Sequence, residues 1–187
     1  KKLFHWLKKC HLEMVDHLPG TTLVFWVFQV IRGYANTLRK INSRMIPEIA
    51  RYMKINSKLE KTVGATQISF THNDLLHGNF LDDGHRLWLV DWDYAGFNSP
   101  LFDLANLATN NSFPELLERH LLEIYYENEP SESLWKKYFA MKCASLLRES
   151  MWSMVSEIKS KIDFDFSKYT EENIERFEKT YSKFNSL

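Results

Sequence analysis

A chain of 187 residues, 44% apolar and 26% charged, is long enough to bury one sizeable core and too apolar to stay disordered. Its 24 basic residues balance 24 acidic ones, which leaves no global field favouring nucleic acid or an anionic membrane. The longest apolar run, Leu23 to Phe28, is far short of the roughly 20 residues that a membrane span requires.

In chain order, Leu3, Trp6, Leu7, Cys10, Met14 and Val15 share one face and predict a helix over 2–17, broken by Pro19-Gly20. Thr21 and Thr22 are candidate caps for a second helix reaching about Ile41, with Val24, Val27, Phe28, Ile31, Tyr34 and Leu38 at helical spacing. Pro47 suits the first turn of a third helix that ends near Thr62, ahead of Gly64. The period then changes. Gln67–Phe70, Gly78–Leu81 and Arg86–Val90 read as short strands, the last two joined by a turn at Asp82-Asp83-Gly84. After a loop containing Gly96 and Pro100, helices are predicted over 101–111, 114–128, 132–161 and 171–184. One domain over 1–187 is expected. Cys10 and Cys143 fall inside helical patterns and are expected as free thiols, and no signal peptide is legible, which makes the cytoplasm the expected compartment.

The chemistry is concentrated between Ser69 and Asn106. Phe70-Thr71-His72-Asn73-Asp74-Leu75-Leu76-His77-Gly78-Asn79 has the spacing H-x-D-x-x-x-x-N, and the strand through Leu87-Trp88-Leu89-Val90 delivers Asp91-Trp92-Asp93-Tyr94. In phosphoryl transfer, a carboxylate following the His accepts a hydroxyl proton, while an Asn and a second Asp hold the magnesium that bridges the nucleotide phosphates. Protein kinases write these pieces as H-R-D-x-x-x-x-N and D-F-G, so the present wording is a different one. Asp74 is the candidate catalytic base, and Asn79 and Asp91 are the candidate magnesium ligands. Magnesium takes hard oxygen donors, with water and phosphate filling the positions that the protein leaves open. A lone loop aspartate usually caps a turn; its spacing to Asn79 and Asp91 sets Asp74 apart. A hydrolase-type metal set of His77, Asp91 and Asp93 is the less favoured assembly.

These motifs, with Val90-Asp91-Trp92-Asp93-Tyr94-Ala95, Pro100-Leu101-Phe102-Asp103-Leu104-Ala105-Asn106 and Ile162-Asp163-Phe164-Asp165-Phe166-Ser167-Lys168-Tyr169, resemble the choline/ethanolamine kinases. Those belong to the aminoglycoside-phosphotransferase-like small-molecule kinases. The resemblance implies a mainly α (α+β) fold, the helical C-terminal lobe of a kinase-like protein with a small β-hairpin element at its active edge. It implies Mg2+- and ATP-dependent phosphorylation of choline or ethanolamine. It further implies that His72 braces the catalytic loop, that Asp103 receives backbone N–H groups of that loop, and that Asp93 helps to hold a second ion. Tyr94, Trp152 and Tyr169, with Ile162 beside them, fall where such kinases place aromatic cage residues; aromatic faces recognise a quaternary ammonium that cannot be hydrogen-bonded. Leu76 and Asn110 stand where some members carry a glutamine and a glutamate, which leaves the choice among amino alcohols open. Core packing is the plain alternative for Trp152.

The six glycines stand singly, with no G-x-G pair, and no strand of the Val-Ala-Ile-Lys type is legible. Leu7-Lys8-Lys9-Cys10-His11 is similar to the Leu-x-x-Leu-His segment that follows the hinge in these kinases. The N-terminal nucleotide lobe is therefore expected to be absent from this chain, which is expected to be inactive alone. Apolar surface under that lobe is expected to be exposed at Trp6, Phe25 or Trp26, with self-association one way to cover it. Two other readings stay open: an aminoglycoside-type phosphotransferase, and a non-catalytic remnant or amine-binding module. Lys8-Lys9 and Lys136-Lys137 are read as solvated faces, and no nucleic-acid partner is expected.

Overall fold

The computed structural model describes residues 2–187. Its elements run α1 (Lys2–Glu13), α2 (Val27–Lys40), α3 (Ile46–Val63), β1 (Ser69–Thr71), β2 (Phe80–Asp82), β3 (Leu87–Leu89), β4 (Gly96–Asn98), α4 (Pro100–Asn110), α5 (Glu115–Tyr126), α6 (Glu132–Lys159) and α7 (Phe166–Ser186). Single 3₁₀ turns follow α1 at Met14–His17 and precede β2 at His77–Asn79. The fold is mainly helical with two small antiparallel pairs. In β1–β4, Ser69 lies opposite Asn98 and Thr71 opposite Gly96; in β2–β3, Phe80 lies opposite Leu89 and Asp82 opposite Leu87.

Helix boundaries follow local chemistry. Ser99 Oγ accepts from the Leu101 N–H at 3.3 Å and Pro100 occupies the first turn, which starts α4. Pro47 lies in the first turn of α3. The Asp165 carboxylate accepts from Lys168 N at 2.9 Å and begins α7 earlier than the predicted start at 171. The first helix ends at Glu13 instead of continuing to 17, because the chain tightens into the 3₁₀ turn.

The larger correction lies between Thr21 and Trp26, predicted as helical and found extended. Val24 makes a parallel bridge to Phe97: Phe25 N donates to Phe97 O at 2.9 Å, and Phe97 N donates to Leu23 O at 2.8 Å. Val24 and Phe25 are β-favouring residues beside an unfilled strand edge, and the tertiary pairing overrides the helical period. β4, which supplies that edge, was expected as loop.

The chain packs as two compact units, one formed by the segment up to Trp26 with Ala65–Tyr138, the other by Val27–Gly64 with Phe139–Leu187. In the first, Leu7, Phe25, Leu75, Phe102, Leu104, Leu121 and Trp135 are buried around α4, which is buried along residues 100–109. Burying each such apolar side chain contributes roughly 1.5–3 kcal/mol. Phe25, expected to be exposed, packs at 5.9 Å from Phe102 and 6.1 Å from Tyr94, ring to ring; Trp6 and Trp26 are half-buried. In the second unit, Phe28, Ile31, Leu38 of α2, Ile49, Tyr52, Leu59 of α3, Leu147, Met151 of α6 and Phe177, Phe184 of α7 form the core. Among the described residues no helix is long and apolar enough to cross a membrane.

Candidate active site

The site begins where β1 runs out. At Asn73 the chain takes a left-handed turn, φ +67°, which Asn tolerates better than most residues. Its buried side chain fixes the turn. Asn73 Oδ1 accepts from Thr71 Oγ1 and from Asn98 Nδ2, both at 3.0 Å, and Nδ2 donates to Tyr94 O at 3.0 Å. The loop is thereby stitched to β1, to β4 and to the segment before β4.

Helix α4 holds the same loop from beneath. Asp103 Oδ1 accepts from Asn73 N at 2.7 Å and Oδ2 from His72 N at 2.8 Å. One turn on, Asn106 Oδ1 accepts from Leu75 N at 2.6 Å, and beyond the helix Asn111 Nδ2 donates to Leu75 O at 3.1 Å. Asp103, Asn106 and Asn110 share one helix face at three- and four-residue spacing, and Asn110 Nδ2 donates to Asn106 Oδ1 at 3.2 Å. Asp103 is fully buried; a buried carboxylate without donors would be severely destabilising, and these N–H groups answer that cost.

His72 links the loop to the hairpin. Its Nδ1 accepts from Asp74 N at 3.3 Å, which leaves the proton on Nε2 to donate to Val90 O at 3.0 Å. Trp92 packs edge-on against His72 at 4.8 Å, stacks parallel on Phe70 at 6.1 Å, and donates Nε1–H to Leu89 O at 2.9 Å. At the open end of the β2–β3 hairpin, Val90 N donates to Asn79 O at 3.0 Å, and Asn79 Nδ2 donates to Asp74 O at 2.9 Å. Asp91 follows at φ +62° and is exposed, as is Asp93; Asp74 is half-buried.

The structure therefore brings His72, Asp74, Asn79 and Asp103 into one hydrogen-bonded network, with Asp91 and Asp93 on the segment leaving it. Tyr94 contributes its carbonyl to Asn73 and sits ring-edge against Phe25. Trp152, Ile162 and Tyr169 belong to the second unit. There Tyr169 lies 6.5 Å edge-on from Trp152 and 5.7 Å from Phe164, and Trp152 lies 5.9 Å from Phe166. Tyr169 Oη donates to Glu149 Oε1 at 2.9 Å. Ile162 is exposed.

Asn73, Asn98, Asn106 and His11 escaped the sequence reading as site residues. Asn106 and Asn73 were present in the quoted motifs, but their partners are set by tertiary pairing. A polar residue every third or fourth position in the otherwise apolar α4 was the legible signal.

For a magnesium ion the donor set fits. The amide nitrogen of Asn79 is committed to Asp74 O, which leaves Oδ1 as the atom of that amide able to take a metal, and the Asp91 carboxylate would be a second hard oxygen of the kind magnesium takes. Among the described residues no group of three or more His, Cys, Asp or Glu side chains is arranged to hold a metal. The hydrolase-type set of His77, Asp91 and Asp93 is thereby set aside.

Comparison with known proteins gives a consistent picture. The sequence profile described as choline/ethanolamine kinase matches residues 2–142. The chain is 29% identical over 205 residues to a probable choline kinase 2 of Arabidopsis thaliana, covering 91% of this chain and 56% of that protein. It is 26% identical over 155 residues to the protein LicA of Haemophilus influenzae, covering 78% and 57%. Among solved structures, a choline/ethanolamine kinase family protein from Mesorhizobium loti superposes with a TM-score of 0.81 at 22% identity, over 95% of this chain and 60% of that one. LicA in complex with AMP gives a TM-score of 0.74 at 22% identity, over 99% and 61%. The chain thus spans somewhat more than half the length of these relatives, its helical fold is that of their kinase fold in part, and it belongs to the choline/ethanolamine kinase family.

Proposed function

We propose that this chain provides the catalytic and substrate side of an ATP-dependent phosphotransferase acting on the hydroxyl of choline or ethanolamine. The observation that carries the reading is the network tying Asp74, Asn79 and the residue before Asp91 to one another through His72 and the Asn79 amide. Asp74 orients the alcohol and accepts its proton as the oxygen bonds to the γ-phosphorus and the bond to ADP breaks. Asn79 and Asp91 would hold magnesium, and Asp93 a second ion. An ion held there would supply positive charge against that developing on the phosphates during transfer. His72 and Asp103 keep the loop backbone aimed, so that little reorganisation is left for the reaction itself. Substrate contacts are proposed for each unit separately: Tyr94 and Asn110 in the first, Trp152, Ile162 and Tyr169 in the second. The AMP held by LicA supports an adenine nucleotide as the phosphoryl source.

The test is transfer of labelled γ-phosphate from ATP to choline, ethanolamine or kanamycin. It is run on the 187-residue chain and on the chain joined to a kinase nucleotide lobe. Transfer to an amino alcohol is expected in the joined protein and negligible in the chain alone. Asp74→Asn is expected to lower it by about 10²–10⁴-fold, the usual worth of a positioned base. Preference for kanamycin would favour an aminoglycoside-type phosphotransferase. A folded joined protein that binds choline and never transfers phosphate would leave the non-catalytic amine-binding module.

A further inference from the structure

We propose that His11 and Tyr125 are positioning residues that set the aim of the His72–Asp74 loop through Asp103. What the loop does chemically rests on the function proposed above; the relay is read from geometry alone. His11, on α1, and Asp103, on α4, are 3% and 0% exposed. His11 Nε2 lies 3.0 Å from Asp103 Oδ2, the oxygen that also accepts from His72 N, while Oδ1 accepts from Asn73 N. On the far side of the imidazole, Nδ1 lies 2.8 Å from the hydroxyl of Tyr125, on α5, whose ring meets His11 edge-on at 5.6 Å.

The direction of the relay follows from its ends. Burial, with the Asp103 charge nearby, keeps the Tyr125 phenol well above its usual range, so it remains an O–H donor. The Asp103 carboxylate can only accept, which puts the imidazole proton on Nε2 and leaves Nδ1 to accept from that hydroxyl. The opposite tautomer would set a nitrogen lone pair against the Asp103 oxygens. Asp103 therefore selects the tautomer, Tyr125 holds the imidazole by its far nitrogen, His11 fixes the rotation of the carboxylate, and the carboxylate fixes two successive N–H groups immediately before Asp74. Three helices converge on the backbone of one loop.

The test uses the full 187-residue chain labelled with ¹⁵N. Long-range ¹H–¹⁵N correlations report the His11 tautomer, and amide hydrogen exchange reports His72 and Asn73. The wild-type chain is expected to show the Nε2–H form. Tyr125→Phe keeps the ring and removes only the hydroxyl. It is expected to keep the Nε2–H form, which Asp103 still enforces, and to give on the order of tenfold faster exchange at both loop amides, the worth of one hydrogen bond. Exchange in α3, in the other unit, should not change. His11→Phe should accelerate the loop amides further. An Nδ1–H form in the wild-type chain, or loop amides unmoved in Tyr125→Phe, overturns the relay. So does faster exchange spread evenly over α1, α4 and the loop, which would report general loosening. If the loop amides respond as expected and the chain joined to a nucleotide lobe transfers no phosphate, the kinase reading fails and the relay stands.

Discussion

Gly96 lies directly against Leu23: a Cβ built on Gly96 would stand 2.7 Å from the Leu23 carbonyl oxygen and 3.5 Å from Phe25 N. The bridge from Val24 to Phe97 exists because there is no side chain at 96 to hold the two backbones apart. Thr71 Oγ1 lies 2.8 Å from Gly96 O and shares its one proton between that carbonyl and Asn73 Oδ1, so the same glycine is one contact from the loop that carries Asp74.

Gly96→Ala is accordingly expected to destabilise the chain by about 1–3 kcal/mol, as overpacking against backbone does. That corresponds to roughly 2–12 °C in Tm for a chain of this size. Gly33, on the exposed face of α2 with nothing near its would-be Cβ, is the control. Gly33→Ala is expected to stabilise by about 0.5–1 kcal/mol through helix propensity. Thermal unfolding of the two variants checks both signs; equal shifts would refute the close-approach account.

Asp103→Asn tests the buried anchor with almost no change of shape. A carboxylate offers only acceptors, and here its oxygens take donors from His72 N, Asn73 N and His11 Nε2. An amide can satisfy one oxygen's donors and must turn its NH₂ toward the others. We expect a loss of about 2–4 kcal/mol in urea unfolding, between that of a single unmet donor and that of a broken buried pair. A change below about 0.5 kcal/mol, the scale of an ordinary surface substitution, would mean that the loop is held by other groups.

Asn79→Ala and Asp91→Asn probe the proposed metal donors. In the chain joined to a nucleotide lobe, each is expected to leave the helical far-ultraviolet signal intact and to raise the magnesium concentration needed for half-maximal transfer at least about tenfold, since a site with only one or two protein donors has little to spare. An unchanged magnesium requirement in both variants would remove these residues from the metal site.

Cys10 gives a pH prediction. Burial first, then the Asp103 and Glu13 charges, push its thiol up to about 11 from the ordinary 9.0 of a free thiol. A folded-state value above the unfolded one means that the native thiol holds its proton longer. Any contribution to stability is therefore present below about pH 9 and lost as pH rises through the folded value. At pH 8 the thiolate fraction is lower by about a hundredfold than in the unfolded chain, so alkylation by iodoacetamide, followed by mass spectrometry, should be about that much slower than in urea. Equal rates would show that the native thiol is not shielded.

Much of the candidate site was legible because phosphoryl transfer, as proposed, asks for residue type as well as spacing: hard oxygen donors at the offsets of Asp74, Asn79 and Asp91. The long helices were legible from period and from Pro47, whereas Pro100, read as loop, opens α4. The segment Leu23–Phe25 was not, because a short apolar run suits a helix face and a strand edge equally. What decided it was Gly96, more than seventy residues away. The start of α7 was hidden because Asp165 caps it while Glu171 offered a competing signal. Asn73 was hidden for a third reason: its role is the sum of bonds to Thr71, Tyr94 and Asn98, none of which is implied by its neighbours in sequence.

The aromatic group of the second unit carries the last prediction. Trp152, Phe164, Phe166 and Tyr169 meet ring to ring, and the Tyr169 hydroxyl donates to the Glu149 carboxylate, which also pairs with Arg148. Burial and the Glu149 charge push the Tyr169 phenol to about 12, so across pH 6–10 its ring is neutral with a carboxylate beside it. That combination suits a quaternary ammonium, which is attracted to aromatic faces and to negative charge and needs no hydrogen bond. Each face-on contact is worth about 0.5–2 kcal/mol, so Trp152→Ala should weaken choline binding by about 2–30-fold. Tyr169→Phe keeps the ring face and releases Glu149, and a smaller loss is expected. Tyr94→Ala tests the first unit's contribution separately. Titration of choline by calorimetry, with tetramethylammonium to isolate the cation and ethanolamine to vary it, distinguishes the cases. Choline affinity unchanged in all three variants would take these rings out of substrate recognition and return Trp152 to plain core packing.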